Sequence, residues 1–150
     1  MTLDELYQDL ILDHHRHPRC PEPVVDPSAA ETVFNPLCGD QINFAVKSDG
    51  QKLTAISCTG HGCAISQASG SMAADLCCGK TLAEVQELNA AFRALMKGER
   101  EASELPLLGD ALALVGVRQF PARTRCAMIA WEALELCLKK LSSQPDKGRS

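Results

Sequence analysis

The dipeptide Asp49-Gly50 constrains the middle of this chain more than any other feature. Asp-Gly suits the tight reversal between two antiparallel strands. Before it, residues 41–47 alternate, with Ile42, Phe44 and Val46 on one face. After it, residues 53–59 read as the returning strand. The remaining segments carry helical spacing and must pack against this hairpin. Thr2-Leu-Asp-Glu5 reads as a capping box, followed by Leu3, Leu6, Tyr7, Leu10 and Ile11 at helical intervals. Pro18 should stop that helix, and residues 18–36, with five prolines, read as an irregular connector. Gly60-His61-Gly62 marks a tight break. Beyond it, Ile65, Ala68, Ser69, Met72 and Leu76 form a helical stripe that ends near Gly79. Thr81-Leu-Ala-Glu84 is a second capping box, opening a helix that turns Val85, Leu88, Phe92, Leu95 and Met96 inward and stops at Gly98. Residues 99–120 are mixed, with a short helix expected around 111–115. Pro121 suits the first turn of a last helix running through Cys126, Trp131 and Leu134 to about Leu141. The expected fold is α+β, a small antiparallel sheet with helices packed against it. One domain is expected over residues 1–141, with a flexible polar tail over 142–150.

Composition narrows the functional class. The 150 residues are 45% hydrophobic and 23% charged, ordinary globular usage, with a net charge of -4. There is no basic stretch and there are only six aromatic residues, so nucleic-acid binding is not expected. No apolar run is long enough to span a bilayer, and the acidic, amphipathic start does not read as a secretory signal. A cytoplasmic chain with reduced thiols is therefore expected. That gives weight to its eight cysteines, at 20, 38, 58, 63, 77, 78, 126 and 137. In such a chain some cysteines serve as metal ligands or reactive thiols rather than as a disulfide framework.

Some of these positions suggest chemistry. In an extended Cys38-Gly39-Asp40, the thiol and the carboxylate point the same way. Cys63 falls at an expected helix N-terminus, where free amides and the helix dipole favour a thiolate. Cys126 falls early in the last helix, flanked by Arg123 and Arg125, whose charge should also favour a thiolate. Three thiolates and one carboxylate would suit a tetrahedral zinc ion, and thiolate-rich sets also suit iron–sulfur clusters. Spacing alone does not single the four out, because no paired Cys-x-x-Cys is present and a free cysteine is commonly a small buried apolar group. Cys58, Cys137 and Trp131 read as core, and Cys77-Cys78 as a helix end. His14, His15 and His17 read as cations near a helix C-terminus. His61, two residues before Cys63, could reach a metal or serve the surrounding loop.

Four stretches carry a family resemblance: Leu6-Tyr-Gln-Asp-Leu-Ile-Leu-Asp-His14 with the following His-Pro-Arg, Asn35-Pro-Leu-Cys-Gly-Asp40, Gly60-His-Gly-Cys-Ala-Ile-Ser66 and Phe120-Pro-Ala-Arg-Thr-Arg-Cys126. In this order and over nearly the whole chain, they resemble the NifU/IscU/SufU family of iron–sulfur cluster assembly proteins, most closely its SufU-type branch. The resemblance implies a SufE/NifU-like fold and Cys38, Asp40, Cys63 and Cys126 as ligands of one Zn2+ per chain. It also implies a persulfide-accepting role for Cys38, with a SufS-type cysteine desulfurase as sulfur donor and cluster scaffold proteins downstream. In the implied mechanism, a histidine of the desulfurase replaces Cys38 on zinc and frees its thiolate to attack the persulfide. The IscU-type alternative is a scaffold on which an iron–sulfur cluster is assembled. Three features favour SufU. Arg125 stands where IscU-type chains carry His, the stretch from Cys63 to Cys126 is longer, and Phe120-Pro-Ala-Arg replaces the proline-rich chaperone motif. Arg125 is a possible supporting residue, and His14 belongs to the motif as a structural residue. The sequence departs from the family at His15, where Tyr is usual, and at Cys20, where Asn often follows Pro-Arg.

Overall fold

The computed structural model describes residues 2–143. Helix α1 (Leu3–Arg16) starts at Thr2, whose hydroxyl accepts from the Glu5 amide at 3.1 Å. It ends just short of Pro18, as that residue's missing N–H demands. The connector then departs from expectation. Its last part, Ala29–Asn35, is a strand, β1. Thr32, Val33 and Phe34 are good strand formers. β1 is an edge strand, however, and its backbone order comes from pairing with the next strand rather than from its own pattern.

Strands β2 (Asp40–Ser48) and β3 (Leu53–His61) form the expected hairpin, and the sheet order is β1-β2-β3, antiparallel throughout. The Asp49 carboxylate closes the turn by accepting from the Gln51 and Lys52 amides, each at 2.9 Å. Asp40, Ile42, Phe44 and Val46 of β2 are buried beneath the helices. The other face is polar. There Asn43 accepts from Thr32 and donates to Thr59.

The core lies between this sheet and three helices: α2 (Ala64–Cys77), α3 (Leu82–Met96) and α4 (Pro121–Ser143). Ala68 to Ala74 of α2 are all buried, so this helix is enclosed nearly all round rather than along one stripe. Small residues make that possible. At Gly70, a Cβ would sit 2.5 Å from the Cys58 Sγ of β3. Thr81 and Glu84 form the complete capping box that opens α3. The Phe92 and Trp131 rings stack with centroids 4.4 Å apart, joining α3 to α4. The Trp131 indole donates to Ser69 Oγ at 3.1 Å, and Ser69 donates to the Ala127 carbonyl at 2.6 Å, so α2 is bonded to α4 in the core. The short helix expected at 111–115 lies inside a longer 3₁₀ segment, Pro106–Gln119, broken at Gly109.

His14 is fully buried. Its Nδ1 bonds Ser71 Oγ at 2.7 Å and its Nε2 bonds the Asp110 carboxylate at 2.9 Å, tying α1 to α2 and to the 3₁₀ segment. Helix α4 runs two residues past the expected end, through Ser143, and the rest of the expected tail, residues 144–150, lies outside the described residues. No helix among the described residues is long and apolar enough to cross a membrane.

Removing the stacked ring should be costly, because the closed core can only partly collapse around the void. Phe92→Ala is expected to lower unfolding free energy by about 3–5 kcal/mol, with Phe92→Leu costing less. Urea titration followed by Trp131 fluorescence measures both.

Candidate metal centre

The centre forms where the β1–β2 turn, the end of β3 and the starts of α2 and α4 meet. Asp40 opens β2 on its core face and is buried. Its Oδ1 accepts from the Cys63 amide at 2.8 Å and from Ser66 Oγ at 3.2 Å, and its Oδ2 accepts from Asn35 Nδ2 at 3.4 Å. Burial works against its charge. The Cys63 amide, with Cys126, Ser66 and Asn35, outweighs burial and holds the carboxyl below its usual range. Every one of these partners is neutral, so the carboxylate is solvated but its charge is not cancelled.

The glycines of the break allow this approach. Gly62 has φ +141°, and a Cβ there would lie 2.2 Å from Asp40 Oδ1. Gly60, at φ +148°, has its missing Cβ position 2.0 Å from the Gln41 carbonyl. Any side chain at either position would push the α2 start away from β2.

Cys38 lies in the β1–β2 turn and is exposed. Cys126 lies in the first turns of α4 and is fully buried, its thiol donating toward Cys38 Sγ at 3.5 Å. Burial, followed by its contacts with Asp40, Cys38 and Cys63, pushes the Cys126 thiol well up. One donor atom each from Cys38, Asp40 and Cys126 lie within 4.8 Å of one another, a group that could hold a metal ion. Cys63 stands beside this trio rather than within it. It is the N-cap of α2, its Sγ accepts from the Ser66 amide at 3.4 Å, and its thiol contacts Cys126. Two thiols and a carboxylate that converge, with a third thiol adjacent at a helix N-terminus, fit a soft or borderline divalent ion.

Two other residues singled out in the sequence lie away from this group. Arg125 pairs with Glu132 along α4. The reason is helical: the two stand seven residues apart on one exposed face, while Cys126 turns inward. His61 stands opposite Gln41 in the β2–β3 register, so it lies on the sheet face opposite Asp40 and is exposed. Asn35 and Ser66 were not singled out, although both lie within motif stretches. Asn35 Nδ2 bridges Asp40 and Cys126 Sγ, at 3.4 Å and 3.7 Å, and the Ser66 hydroxyl joins Asp40 to the α2 N-terminus. Their positions inside those stretches were the available signal.

Comparison with known proteins agrees with this architecture. Residues 6–145 match the family described as the NifU-like N terminal domain. The chain is 38% identical over 134 residues to a Bacillus subtilis protein named zinc-dependent sulfurtransferase SufU, covering 89% of this chain and 90% of that one. It is 36% identical to the Streptococcus pyogenes iron–sulfur cluster assembly scaffold protein IscU, covering 92% and 86%. Among solved structures, a putative iron–sulfur cluster assembly scaffold protein for the SUF system from Fervidobacterium islandicum superposes with a TM-score of 0.82 at 28% identity, covering 91% and 99%. A NifU-like protein N-terminal region from Brucella abortus, at 23% identity and TM-score 0.83 over 95% and 99%, shares the fold. With a family match over nearly its full length and relatives of 36–38% identity covered over 86–90% of their length, the chain belongs to the NifU-like N-terminal domain family.

Proposed function

We propose that this protein is an iron–sulfur cluster assembly protein of the cytoplasm that binds one zinc ion through Cys38, Asp40, Cys63 and Cys126 and carries persulfide sulfur on Cys38. The observation that carries the reading is the uneven exposure of the converging donors. Asp40 and Cys126 are buried, whereas Cys38 is exposed on a turn. Thiol exchange depends on access as well as on thiolate character, so Cys38 is the sulfur within reach of a partner's persulfide. When bound, zinc supplies the positive charge that holds the cysteine ligands as thiolates at neutral pH.

The transfer itself needs only this chain's sulfur and the donor's. The Cys38 thiolate attacks the outer sulfur of a cysteine persulfide on the desulfurase. The S–S bond of that persulfide breaks, its inner sulfur leaves as the donor's thiolate, and a persulfide is left on Cys38. No net oxidation occurs. Asp40 is held by Cys63, Ser66 and Asn35 throughout, which keeps the buried side of the site fixed while the turn bearing Cys38 meets the partner.

Exposed apolar side chains support a macromolecular donor of SufS type. Leu37, adjacent to Cys38, is 87% exposed, and Phe34 and Phe120, on segments leading to the site, are 61% and 60% exposed. A groove of about 1060 Å³ between α1, the α2 start and the 3₁₀ segment opens beside Cys63 and Phe120. Arg123 lines it, while Arg125 is proposed only as a support for the α4 start through its pairing with Glu132. Cluster scaffold proteins are the proposed downstream recipients.

Metal analysis and visible absorbance on protein purified without oxygen are expected to give one zinc per chain and no colour. Bound iron with sulfide and a brown colour would instead support the scaffold reading. Cys38→Ala is expected to abolish stimulation of a SufS-type desulfurase, and normal stimulation by that variant would remove Cys38 as acceptor. Leu37→Ser is expected to raise the concentration needed for half-maximal stimulation with zinc content unchanged, and an unchanged titration would place the partner elsewhere.

A further inference from the structure

The Cys38 and Cys126 sulfurs stand 3.5 Å apart, near nonbonded contact for two sulfur atoms. Their surroundings differ sharply. Cys38 is exposed on the β1–β2 turn, whereas Cys126 is fully buried at the start of α4. The buried sulfur is held in place. Asn35 Nδ2 donates to it at 3.7 Å and to the Asp40 carboxylate at 3.4 Å, and Ser69 Oγ donates to the carbonyl of the next residue, Ala127, at 2.6 Å. A donor protein cannot reach Cys126 from solvent, but a sulfur already on Cys38 lies beside it. Cys63 is less well placed. It falls outside the group of donor atoms that lie within 4.8 Å of one another. Its sulfur accepts from the Ser66 amide at 3.4 Å and donates to the Ser66 hydroxyl at 3.8 Å.

A persulfide carries its sulfur at a more oxidised level than the sulfide of an iron–sulfur cluster. Sulfur carried on Cys38 must therefore gain two electrons before it enters one. We propose that Cys126 is the resolving thiol for this reduction: it displaces the carried sulfur as sulfide and closes a Cys38–Cys126 disulfide. The role rests on the sulfur-carrier reading of Cys38.

Displacement at sulfur runs in line, with nucleophile and leaving group on opposite sides of the atom attacked. A donor approaching from solvent adds its sulfur on the open side of Cys38, and Cys126 faces the same atom from the buried side. Attack on Cys38 Sγ therefore expels the outer sulfur toward solvent. Under the same reading Cys126 is held as a thiolate, the form that attacks sulfur. The Cys126 thiolate attacks Cys38 Sγ, and the bond between Cys38 Sγ and the outer sulfur breaks. The outer sulfur leaves as hydrosulfide, with that bond's electron pair and its own proton. One persulfide and one thiolate give one disulfide and one hydrosulfide. Relative to their thiols, the two cysteine sulfurs together have lost two electrons, and the carried sulfur has gained them. A dithiol reductant of the cell then attacks the exposed Cys38 sulfur, and Cys126 leaves as a thiolate. The reductant's second thiol closes its own disulfide and frees Cys38.

The test loads the full chain, with its bound metal, from low-molecular-weight cysteine persulfide rather than from a desulfurase, and removes small thiols by gel filtration. Persulfide, free sulfide and disulfides are then followed over time without reductant, by thiol blocking with fragmentation mass spectrometry and by a sulfide assay. The expected result is loss of persulfide from Cys38 with equal amounts of sulfide and Cys38–Cys126 disulfide. Bound metal is expected to fall in step, since two of its proposed ligands are consumed. Cys126→Ser is expected to keep its persulfide on Cys38 and to reduce sulfide release to background. Because that substitution also removes a proposed ligand, the bond mapped in the wild-type chain decides. The role of Cys126 is overturned if wild-type persulfide persists on Cys38, if the sulfur moves onto Cys126 as a persulfide, or if sulfide appears with Cys38 bonded to Cys63. In each of those cases Cys38 has still accepted sulfur, and the carrier reading stands. A chain that takes up no sulfur on Cys38 overturns both.

Discussion

Asp40 is a buried carboxylate whose hydrogen-bond partners come from the end of β1, the start of α2 and the start of α4. Burying a charge is tolerable only where donors replace water. Here the backbone of Cys63 and the side chains of Ser66, Asn35 and Cys126 do so. Because these partners belong to different elements, satisfying one side chain fixes how the sheet edge, α2 and α4 come together. The glycines at 60 and 62 follow from the same constraint, since the chain leaving β3 must pass within a side chain's width of β2. The unneutralised charge left at this junction makes it a place for a cation.

Behind the junction the structure is closely packed, and in front of it one donor stands in solvent. The Phe92–Trp131 stack and the Ser69 bridge anchor α4 next to Cys126, because Ser69 donates to the carbonyl of the very next residue, Ala127. Packing and hydrogen bonding of this kind hold a side chain's position within narrow limits. Cys38 is held only through its amide, which donates to the Asn35 carbonyl, and through the Cys126 thiol. It stands on a turn in solvent, with Leu37 beside it. The division between a buried half and an exposed thiol suits the proposed sulfur carrier, since the carrying atom must be reached and then released.

The eight cysteines fall into three environments whose chemistry differs for simple reasons. Cys58, Cys77 and Cys137 are packed among apolar groups, and desolvation, the leading cause, pushes each thiol up to about 12. They behave as small core residues. Cys38, Cys63 and Cys126 cluster around a carboxylate. Cys20, half-buried, and Cys78, exposed, stand on two other segments distant in sequence. Only environment separates these groups, because the thiols themselves are identical.

Much of the fold was legible from the residues. The Asp49-Gly50 turn, the alternation of β2, the Thr81–Glu84 box and Pro121 each act through neighbours a few positions away, and local chemistry of that range is written in order along the chain. β1 was not legible, because an edge strand takes its order from its partner, and the proline-rich context concealed it. The enclosure of α2 on nearly all sides was not legible either, since its small residues signal burial only once the elements around it are known. At the candidate centre, the sequence by itself determined the kinds of donor and, through the Cys38–Asp40 pair and the Cys63 helix start, some of their local placement. Tertiary structure alone decided that Cys38 meets Cys126 at 3.5 Å, that Asn35 and Ser66 hold Asp40, and that Arg125 and His61 point elsewhere. Those are contacts between residues far apart in sequence, and they are settled by packing and sheet register, which no local spacing encodes.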